Sequence, residues 1–332
     1  MGSRDKPLVS VLMAAHNEER YVGEAIQSVL RQTLPDFELI VIDDGSTDGT
    51  SACLRAFRDP RIRPLRNVSS LGLTRSLIIG MREARSELIA RLDADDLAMP
   101  RRLEKQVATF HNAPDIGVVG SNCWLIDAKG NRTGARQMPP TDLAIRWRSM
   151  LDNPFIHPAV MFRANVYEQA GGYDPSVETA QDYDLWVRML SITQARNFPQ
   201  RLIAYRIRPS SITDGRRQQQ LANHDQVSWR TLTEVLPGHD LPFKRHRLLR
   251  ALYAGGPPPV PRETIPLLVK AYWSLLEAFQ TRYAGLPGWG QLLRYEWMRN
   301  AYRLQRAPWG KDTRAAWRMI CAPQILFMRK NA

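Results

Sequence analysis

The 332-residue chain is 44% hydrophobic and carries a formal net charge of +13 at pH 7. This length suggests two domains, or one domain with an extension, and the apolar content is sufficient for a packed core. Its three cysteines are Cys53, Cys123 and Cys321. They form no C-x-x-C pair, which argues against a disulfide framework or a zinc site and indicates a reducing compartment.

The sequence contains no long apolar segment. The N-terminal residues lack a long apolar segment, and no run of about 18 apolar residues occurs, so we predict neither a signal peptide nor a membrane-spanning helix. The basic charge is unevenly distributed, because residues 241–332 contain 16 of the 46 Lys and Arg residues but only 4 of the 33 Asp and Glu residues. A partner for this charge is therefore expected at the C-terminal segment.

The first part of the sequence alternates short apolar runs with helical periodicity. Residues 8–15 have the length and composition of a parallel strand that is covered on both faces. A central strand begins at Leu88 and ends in an acidic segment. The other predicted elements are helix 21–30, strand 37–42, helix 49–58, strand 62–65, helix 72–84 and helix 101–110. This order predicts a mostly parallel, doubly wound α/β sheet.

Shorter elements follow, and then a helical segment. The predicted elements are strand 116–123, a hairpin turn at 129–131, helix 141–151, strand 157–162, helix 166–170, a helix from about 181, strand 201–207 and amphipathic helices at 264–283, 289–306 and 311–329. The predicted domains are an α/β domain at 1–235 and a helical, basic, Trp-rich segment at 236–332.

Two acidic clusters follow apolar strands. Asp43 and Asp44 come after the second strand, and Asp93, Asp95 and Asp96 come after the central one. Both clusters are expected at the carboxyl edge of the sheet, where open α/β proteins bind ligands. Two Asp side chains that flank a small residue can face one hard cation, and Mg²⁺ in such sites also holds substrate phosphates. The alternative is a solvated acidic turn that caps the next helix.

Four motifs, in this order and spacing, resemble glycosyltransferase family 2, whose members are inverting enzymes with the Rossmann-like GT-A fold. They are SVLMAAHNE at 10–18, VIDDGSTD at 41–48, RLDADD at 91–96 and QDYDLW at 181–186. The resemblance covers about residues 7–210. It implies a nucleotide-binding half at about 7–125 and an acceptor half at about 126–210.

The resemblance implies a pocket for the base of a nucleotide-sugar donor, usually a UDP-sugar. Ala15 and His16 would line this pocket, and Glu18 would hold the ribose or fix the loop. Asp44 would accept a hydrogen bond from the base. The alternative for Asp44 is a turn-forming residue before Gly45.

The resemblance also implies a diphosphate and metal site. Asp93, with Ala94 beside it, would touch the ribose or the metal, and Asp95 would coordinate Mg²⁺ or Mn²⁺ on the diphosphate. A divalent cation there would stabilise the departing diphosphate. Arg75 stands where relatives often carry a basic residue and would reach the diphosphate. The alternative for Arg75 is a solvated helix face.

On the acceptor side, Asp182 matches the general base of the family. It would remove the proton of the acceptor hydroxyl, and one displacement would invert the anomeric centre. His157, Gln181 and Trp186 would lie near the acceptor. The alternatives are a helix cap for Asp182 and a structural histidine for His157.

The chain departs from the family pattern at three positions. Gln181 stands where many relatives carry Glu before the base, Ile78 where many carry Asn, and Arg208 where many carry His. These changes leave the acceptor-side contacts and the ionisation of Asp182 open. The Q-x-x-R-W motif of processive relatives is absent, so we expect transfer of one sugar at a time.

Aromatic and basic residues are interleaved in the C-terminal segment. Five of the nine tryptophans lie there, at positions 273, 289, 297, 309 and 317. Basic amphipathic helices with Trp suit an anionic membrane surface. The alternative is a helical subdomain that packs its Trp residues in a core or an oligomer interface. No nucleic-acid-binding motif is present, so we expect no nucleic-acid partner.

The sequence therefore predicts an inverting, metal-dependent glycosyltransferase. It would use a nucleotide sugar and a saccharide or lipid-linked glycan acceptor in polysaccharide or cell-surface glycan biosynthesis. The expected location is the cytoplasm, including the cytoplasmic face of the membrane. One alternative is a sugar-phosphate nucleotidyltransferase, but the segment 14–17 (AAHN) is not the Gly-rich phosphate loop of that class. The other is a non-catalytic nucleotide-sugar-binding protein, against which the intact Asp93, Asp95 and Asp182 argue.

Overall fold

A computed structural model describes residues 6–208, 217–254 and 264–306. The chain divides into two compact units. The first unit comprises residues 1–138 and 155–220, and the second comprises residues 139–154 and 221–332. This division differs from the predicted boundary at residue 235. Apolar side chains of segment 139–154, such as Leu143 and Trp147, are buried in the helical core of the second unit.

In the described part of the chain, one nine-stranded sheet forms the centre of the first unit. The strands are β1 (Val9–Ala15), β2 (Phe37–Asp43), β3 (Ile62–Arg66), β4 (Leu88–Arg91), β5 (Leu97–Ala98), β6 (Ile116–Ile126), β7 (Arg132–Arg136), β8 (Met161–Arg163) and β9 (Gln194–Arg206). Their order is β3-β2-β1-β4-β8-β6-β9-β5, with β7 paired to β6.

Helices connect these strands and build the second unit. In chain order they are α1 (Val22–Leu30), α2 (Thr50–Ala56), α3 (Leu73–Glu83), α4 (Arg102–Asn112), α5 (Asp142–Ser149), α6 (Ala164–Gln169), α7 (Gln181–Leu190), α8 (Arg217–Val235), α9 (Phe243–Ala254), α10 (Ile265–Arg282) and α11 (Trp289–Arg306). A 3₁₀ turn spans His157–Ala159.

The N-terminal half of the sheet is parallel. Strand β1 pairs in parallel with both β2 and β4, and β2 pairs in parallel with β3. The C-terminal half is mixed, because β8 runs antiparallel to β4 and β6, whereas β6 and β9 run parallel. The predicted α/β class with a parallel-dominated sheet is confirmed.

Burial on both faces explains the continuous apolar sequence of β1 and β2. Every residue of β2 is buried. Helix α3 approaches these strands closely, because a Cβ atom added at Gly80 would lie 2.5 Å from Leu12 Cδ1 and 2.8 Å from Ile42 Cδ1. A larger residue would push α3 away from the strands that carry the candidate site at their carboxyl ends.

Three strands differ from the sequence-based expectation. The predicted strand at 157–162 begins instead with the 3₁₀ turn, and β8 starts at Met161, since Pro158 has no N–H to donate to a ladder. Strand β9 begins at Gln194, seven residues before the predicted start. The short strand β5 was not predicted, and it places the segment after Asp96 against β9.

The second unit is helical and contains α5, α8 from residue 221 onward, and α9 to α11. Trp147 is fully buried at its centre and makes edge contacts with Tyr272 and Phe279, at centroid distances of 5.5 and 5.4 Å. Helices α10 and α11 match two predicted amphipathic helices. The third, at 311–329, lies outside the described residues.

The tryptophans of the C-terminal segment have different environments. Trp273 and Trp289 pack against the core of the second unit, whereas Trp297 on α11 is 40% exposed. Trp309 and Trp317 lie outside the described residues. Within the described ranges, no helix combines the length and apolar character needed to cross a bilayer.

Candidate active site

The two acidic clusters lie at one edge of the sheet. In the register of the parallel strands, Ala15 is opposite Asp43, and Leu12 is opposite Arg91. Strands β1, β2 and β4 therefore end side by side, as predicted, and the residues that follow them face the same region.

Asp44 organises the loop that leads into α3. Its Oδ1 atom accepts hydrogen bonds from Asn67 Nδ2 (2.7 Å) and Leu71 N–H (2.8 Å). Its Oδ2 atom accepts from Ser70 Oγ (3.0 Å) and Gly72 N–H (2.9 Å). Burial raises the pKa of Asp44, but the hydrogen bonds from Leu71 and Asn67 outweigh it and hold this pKa below its ordinary value. Its carboxylate is thus the anchor of residues 67–72.

His16 is held beside Asp44. Its Nδ1 donates to the Asp44 carbonyl oxygen at 2.7 Å, because a carbonyl oxygen can only accept. The next residue, Asn17, has a φ of +56°, and its Oδ1 accepts from Thr47 N–H at 2.8 Å. The loops after β1 and β2 are therefore joined, and the structure brings His16 and Asp44 together.

Two small, buried residues lie at the carboxyl edge of the sheet. Ala15 is 2% exposed and Ala94 is 3% exposed. The Ala15 carbonyl accepts a hydrogen bond from Asp44 N–H at 2.8 Å. Arg75 is exposed on the first turn of α3, and both predictions for its role remain open.

Arginines compensate the carboxylates that follow β4. Arg91, which is 1% exposed, forms an ion pair with Asp93. Burial raises the pKa of Asp93, but the charge and hydrogen bond of Arg91, together with the charges of His157 and Arg208, outweigh it, so this pKa lies below its ordinary value. Burial and the charge of Asp93 raise the pKa of Asp95. The same two causes raise the pKa of Asp96 well above its ordinary value.

Residues at the end of β9 complete this cluster, and sequence reasoning assigned them no role in it. Arg206 N–H donates to Asp96 Oδ1 (2.7 Å), and Arg206 Nε donates to the Asp95 carbonyl oxygen (2.7 Å). The Arg208 guanidinium bridges Asp95 Oδ2 (2.8 Å) and Glu18 Oε1 (2.7 Å). The only signal in the sequence was the departure from His at position 208.

The start of α7 carries Asp182 as its second residue. Ala180, just before the helix, has a left-handed φ of +63°, which costs a non-glycine residue roughly 1–2 kcal/mol. The preceding loop is tied to α3, because Thr74 Oγ1 donates to the Val177 carbonyl at 3.1 Å. Backbone strain held by such contacts is common where a side chain must be positioned for function.

His157 is influenced by the charges of carboxylates from two motifs. Its Nε2 shares a hydrogen bond with Tyr173 Oη at 3.0 Å. Burial and the charge of Arg91 lower the pKa of His157 to about 4, although the charges of Asp182 and Asp93 act in the opposite direction. The ring is therefore neutral at pH 7, although the carboxylates of both motifs favour its protonated form.

Two predicted acceptor-side residues are buried. Gln181 is 7% exposed. Trp186 is 0% exposed and packs against Phe155, His157 and Phe162 at centroid distances of 5.9, 6.2 and 5.9 Å. Because its indole has no exposed surface, Trp186 packs against the edge of the His157 ring system and is not available for the predicted direct contact with the acceptor.

The donor set fits a metal that is shared with a substrate. Within the described residues, no group of three or more His, Cys, Asp or Glu side chains is arranged to hold a metal by itself. Asp93 and Asp95 offer two carboxylates, and the buried Asp96 Oδ2 has no hydrogen-bond partner in the described part of the chain. Mg²⁺ is usually held by one or two carboxylates together with substrate phosphates and water, and this set of ligands meets that requirement.

We predict that Asp44→Asn lowers the free energy of unfolding by about 1–3 kcal/mol at pH 7, because the amide NH₂ would face a donor. The folded-state pKa of Asp44 is lowered. Its stabilisation is therefore complete above the ordinary carboxyl pKa of about 3.9 and is lost as the pH falls through the lowered value. Urea unfolding at pH 7 and in acid measures both effects. The exposed Asp36→Asn is the control, and equal stability of the two variants at pH 7 would refute this role.

Comparisons with known proteins agree with this geometry. A family model described as Glycosyl transferase family 2 matches residues 10–171. The O-antigen biosynthesis glycosyltransferase WbnJ of Escherichia coli is 33% identical over 193 residues, which span 58% of this chain and 75% of WbnJ. The chain spans about two thirds of the first curated relatives that it matches, at 66% and 67%.

Solved structures share the fold over nearly the whole chain. S. aureus TarS 1-349 in complex with UDP-GlcNAc has a TM-score of 0.59 at 14% identity and covers 96% of this chain and 92% of its own. The mannosyltransferase PcManGT from Pyrobaculum calidifontis, in complex with GDP-Man and Mn²⁺, has a TM-score of 0.55 at 19% identity, with coverages of 99% and 88%. These likenesses confirm the GT-A fold. Together with the sequence matches, they lead to one conclusion: the chain belongs to glycosyltransferase family 2.

Proposed function

We propose that this protein is an inverting glycosyltransferase that moves one sugar from a UDP-sugar to a saccharide or lipid-linked glycan acceptor. Polysaccharide or cell-surface glycan biosynthesis is the proposed setting, as the name of WbnJ suggests for that relative. The observation that supports the proposal is that the charges of Asp93 and Asp182, from two separate motifs, both act on the pKa of His157. Such an arrangement suits a donor site and a base on opposite sides of one reacting carbon.

The donor would bind at the carboxyl ends of β1, β2 and β4. His16 and the loop that Asp44 anchors would contact the base. Arg75, on the first turn of α3 after this loop, would contact the diphosphate. The TarS structure holds UDP-GlcNAc, which supports a UDP-sugar as the donor class, whereas PcManGT holds GDP-Man. Discrimination between these nucleotides depends on the loops after β1 and β2.

The metal would be Mg²⁺ or Mn²⁺, held by Asp95 with Asp93 and by the donor diphosphate. When bound, a divalent cation supplies positive charge to the departing diphosphate. The Mn²⁺ in PcManGT supports this assignment. Arg91 keeps Asp93 ionised and fixes its orientation.

Asp182 would act as the general base. It would take the proton of the acceptor hydroxyl while the hydroxyl oxygen forms a bond to the anomeric carbon. The bond from that carbon to the diphosphate oxygen breaks at the same time, and the nucleoside diphosphate leaves with its electron pair. One such displacement inverts the anomeric centre. Because His157 is neutral at pH 7, it does not place a positive charge beside Asp182.

We also propose that the protein contacts an anionic membrane surface at the cytoplasmic face through residues 241–332. The segment is strongly basic. Several apolar side chains of the second unit are exposed, and they are Phe243, Leu267, Leu286, Trp297 and Met298. Apolar side chains beside Arg and Lys can enter the headgroup region of an anionic bilayer. A lipid-linked acceptor would be presented at such a surface.

For the reaction, we predict that Asp182→Asn reduces transfer by about 10²–10⁴-fold and leaves donor binding unchanged, because only proton removal is lost. Transfer of labelled sugar from UDP-sugars to glycan acceptors measures the rate, and calorimetry measures donor affinity. Glu168→Gln, an exposed carboxylate on α6, is the control. Transfer by Asp182→Asn at the natural rate would show that another group is the base.

For the membrane, we expect the full chain to float with phosphatidylglycerol vesicles at low salt and to dissociate at high salt. Trp297→Ser should weaken this binding, whereas Ile192→Ser, which removes an exposed apolar residue from the first unit, should not. Absence of flotation at low salt would refute membrane contact. Equal loss in both variants would assign it to a different surface.

A further inference from the structure

We propose that, before nucleotide binds, Arg208 occupies the cation position of the donor site and that the donor diphosphate must draw it away before a divalent cation binds. This inference deepens the proposed function and rests on it. Arg208 would thereby couple nucleotide binding to metal binding. It is a positioning residue, and its task is to keep a cation from binding alone.

The contacts of Arg208 place its charge between two carboxylates. Its Nη2 lies 2.7 Å from Glu18 Oε1 and 2.8 Å from Asp95 Oδ2, and its Nη1 donates to Glu18 Oε2 at 3.1 Å. Asp95 is the proposed metal ligand. A divalent cation bound to Asp95 Oδ2 would therefore be in direct contact with the positively charged guanidinium of Arg208. Because the two positive charges repel each other, they cannot both bind that oxygen.

The neighbouring Arg206 has a different role. Its side chain is 1% exposed and donates through Nε to the Asp95 carbonyl and through Nη2 to Glu24. Its N–H also holds Asp96. Because its backbone and its side chain both have hydrogen-bond partners, Arg206 is fixed in the fold. Its contacts remain in place whether or not Arg208 moves.

Arg208 is less constrained. Its side chain is 20% exposed, and its Nε is buried without a hydrogen-bond partner in the described part of the chain. The guanidinium also lies over the Tyr21 ring at 5.3 Å. Its strong partners are two side-chain carboxylates. A diphosphate offers the same bidentate geometry with more negative charge, so it competes for the guanidinium.

This exchange has a consequence for the order of binding. Without nucleotide, a cation must displace Arg208 and leave a guanidinium without its carboxylate partners. With a diphosphate present, Arg208 moves to the phosphate oxygens and Asp95 becomes free for the metal. The difference makes nucleotide and cation binding cooperative beyond their direct contact, and by linkage each strengthens the other equally.

The test is a titration of the metal-stripped full chain with Mn²⁺, in which the electron paramagnetic resonance signal of free Mn²⁺ is the readout. The titration is done first without nucleotide and then with UDP. The variants are Arg208→Gln, Arg208→Lys and the control Arg101→Gln. The control removes an equal charge from an exposed pair with Glu104 on α4. Thermal unfolding in chelator checks that each variant is folded.

We expect Arg208→Gln to bind Mn²⁺ alone at least about tenfold more tightly than the natural protein, which corresponds to about 1.4 kcal/mol. Arg101→Gln should match the natural protein. Arg208→Lys keeps the charge but not the two-pronged bridge, so its affinity should lie in between. UDP should strengthen Mn²⁺ binding by a smaller factor in Arg208→Gln than in the natural protein.

Mn²⁺ binding to Arg208→Gln that is no tighter than to the natural protein would overturn the proposal. If that variant does not fold, Arg208→Lys decides in the same way. Tighter Mn²⁺ binding by Arg208→Gln, with no effect of UDP on either protein, would retain the competition at Asp95 and overturn the UDP-sugar donor. The two failures are thus distinguishable.

Discussion

Repulsion among carboxylates at the end of β4 is the constraint on which the site depends. Asp93, Asp95 and Asp96 lie within four residues, and each raises the cost of ionising another. Arginines from β4 and from the end of β9 offset this cost. The fold meets the requirement by running β9 back to the carboxyl end of β4, beside the short β5. Partial compensation leaves a cluster that still attracts positive charge, as the proposed metal site needs.

The sequence was sufficient to predict that the acidic residues lie at the carboxyl edge of the sheet. It was not sufficient to predict the hydrogen-bond and ion-pair partners of each side chain. The apolar runs before Asp44 and Asp93 indicated parallel strands, and parallel neighbours end at one edge, so their approach followed from local pattern. The four donors to Asp44 come from residues 67–72, and Arg208 reaches Glu18 from 190 residues away. Such contacts depend on loop geometry, for which a sequence pattern carries no signal.

Elements without a distinct pattern were also missed. A period of 3.6 identified a helix at 141–151, but periodicity does not state which core a helix joins, and α5 packs in the second unit. The family resemblance placed Trp186 near the acceptor. Its full burial against His157 follows from packing, which makes Trp186 a support for the site. The basic, Trp-rich composition likewise did not separate core tryptophans from the exposed Trp297.

We propose above all that the carboxyl edge of β1, β2 and β4 binds a nucleoside diphosphate together with a divalent cation. Thermal unfolding of the natural chain and of Asp95→Ala, with UDP, GDP, CDP or ADP and with Mn²⁺ or chelator, tests it without an acceptor. We predict that UDP with Mn²⁺ stabilises the natural chain by about 2.7 kcal/mol at 100 times its Kd. Chelator or the substitution should remove this effect. Stabilisation by none of the four nucleotides would contradict the claim.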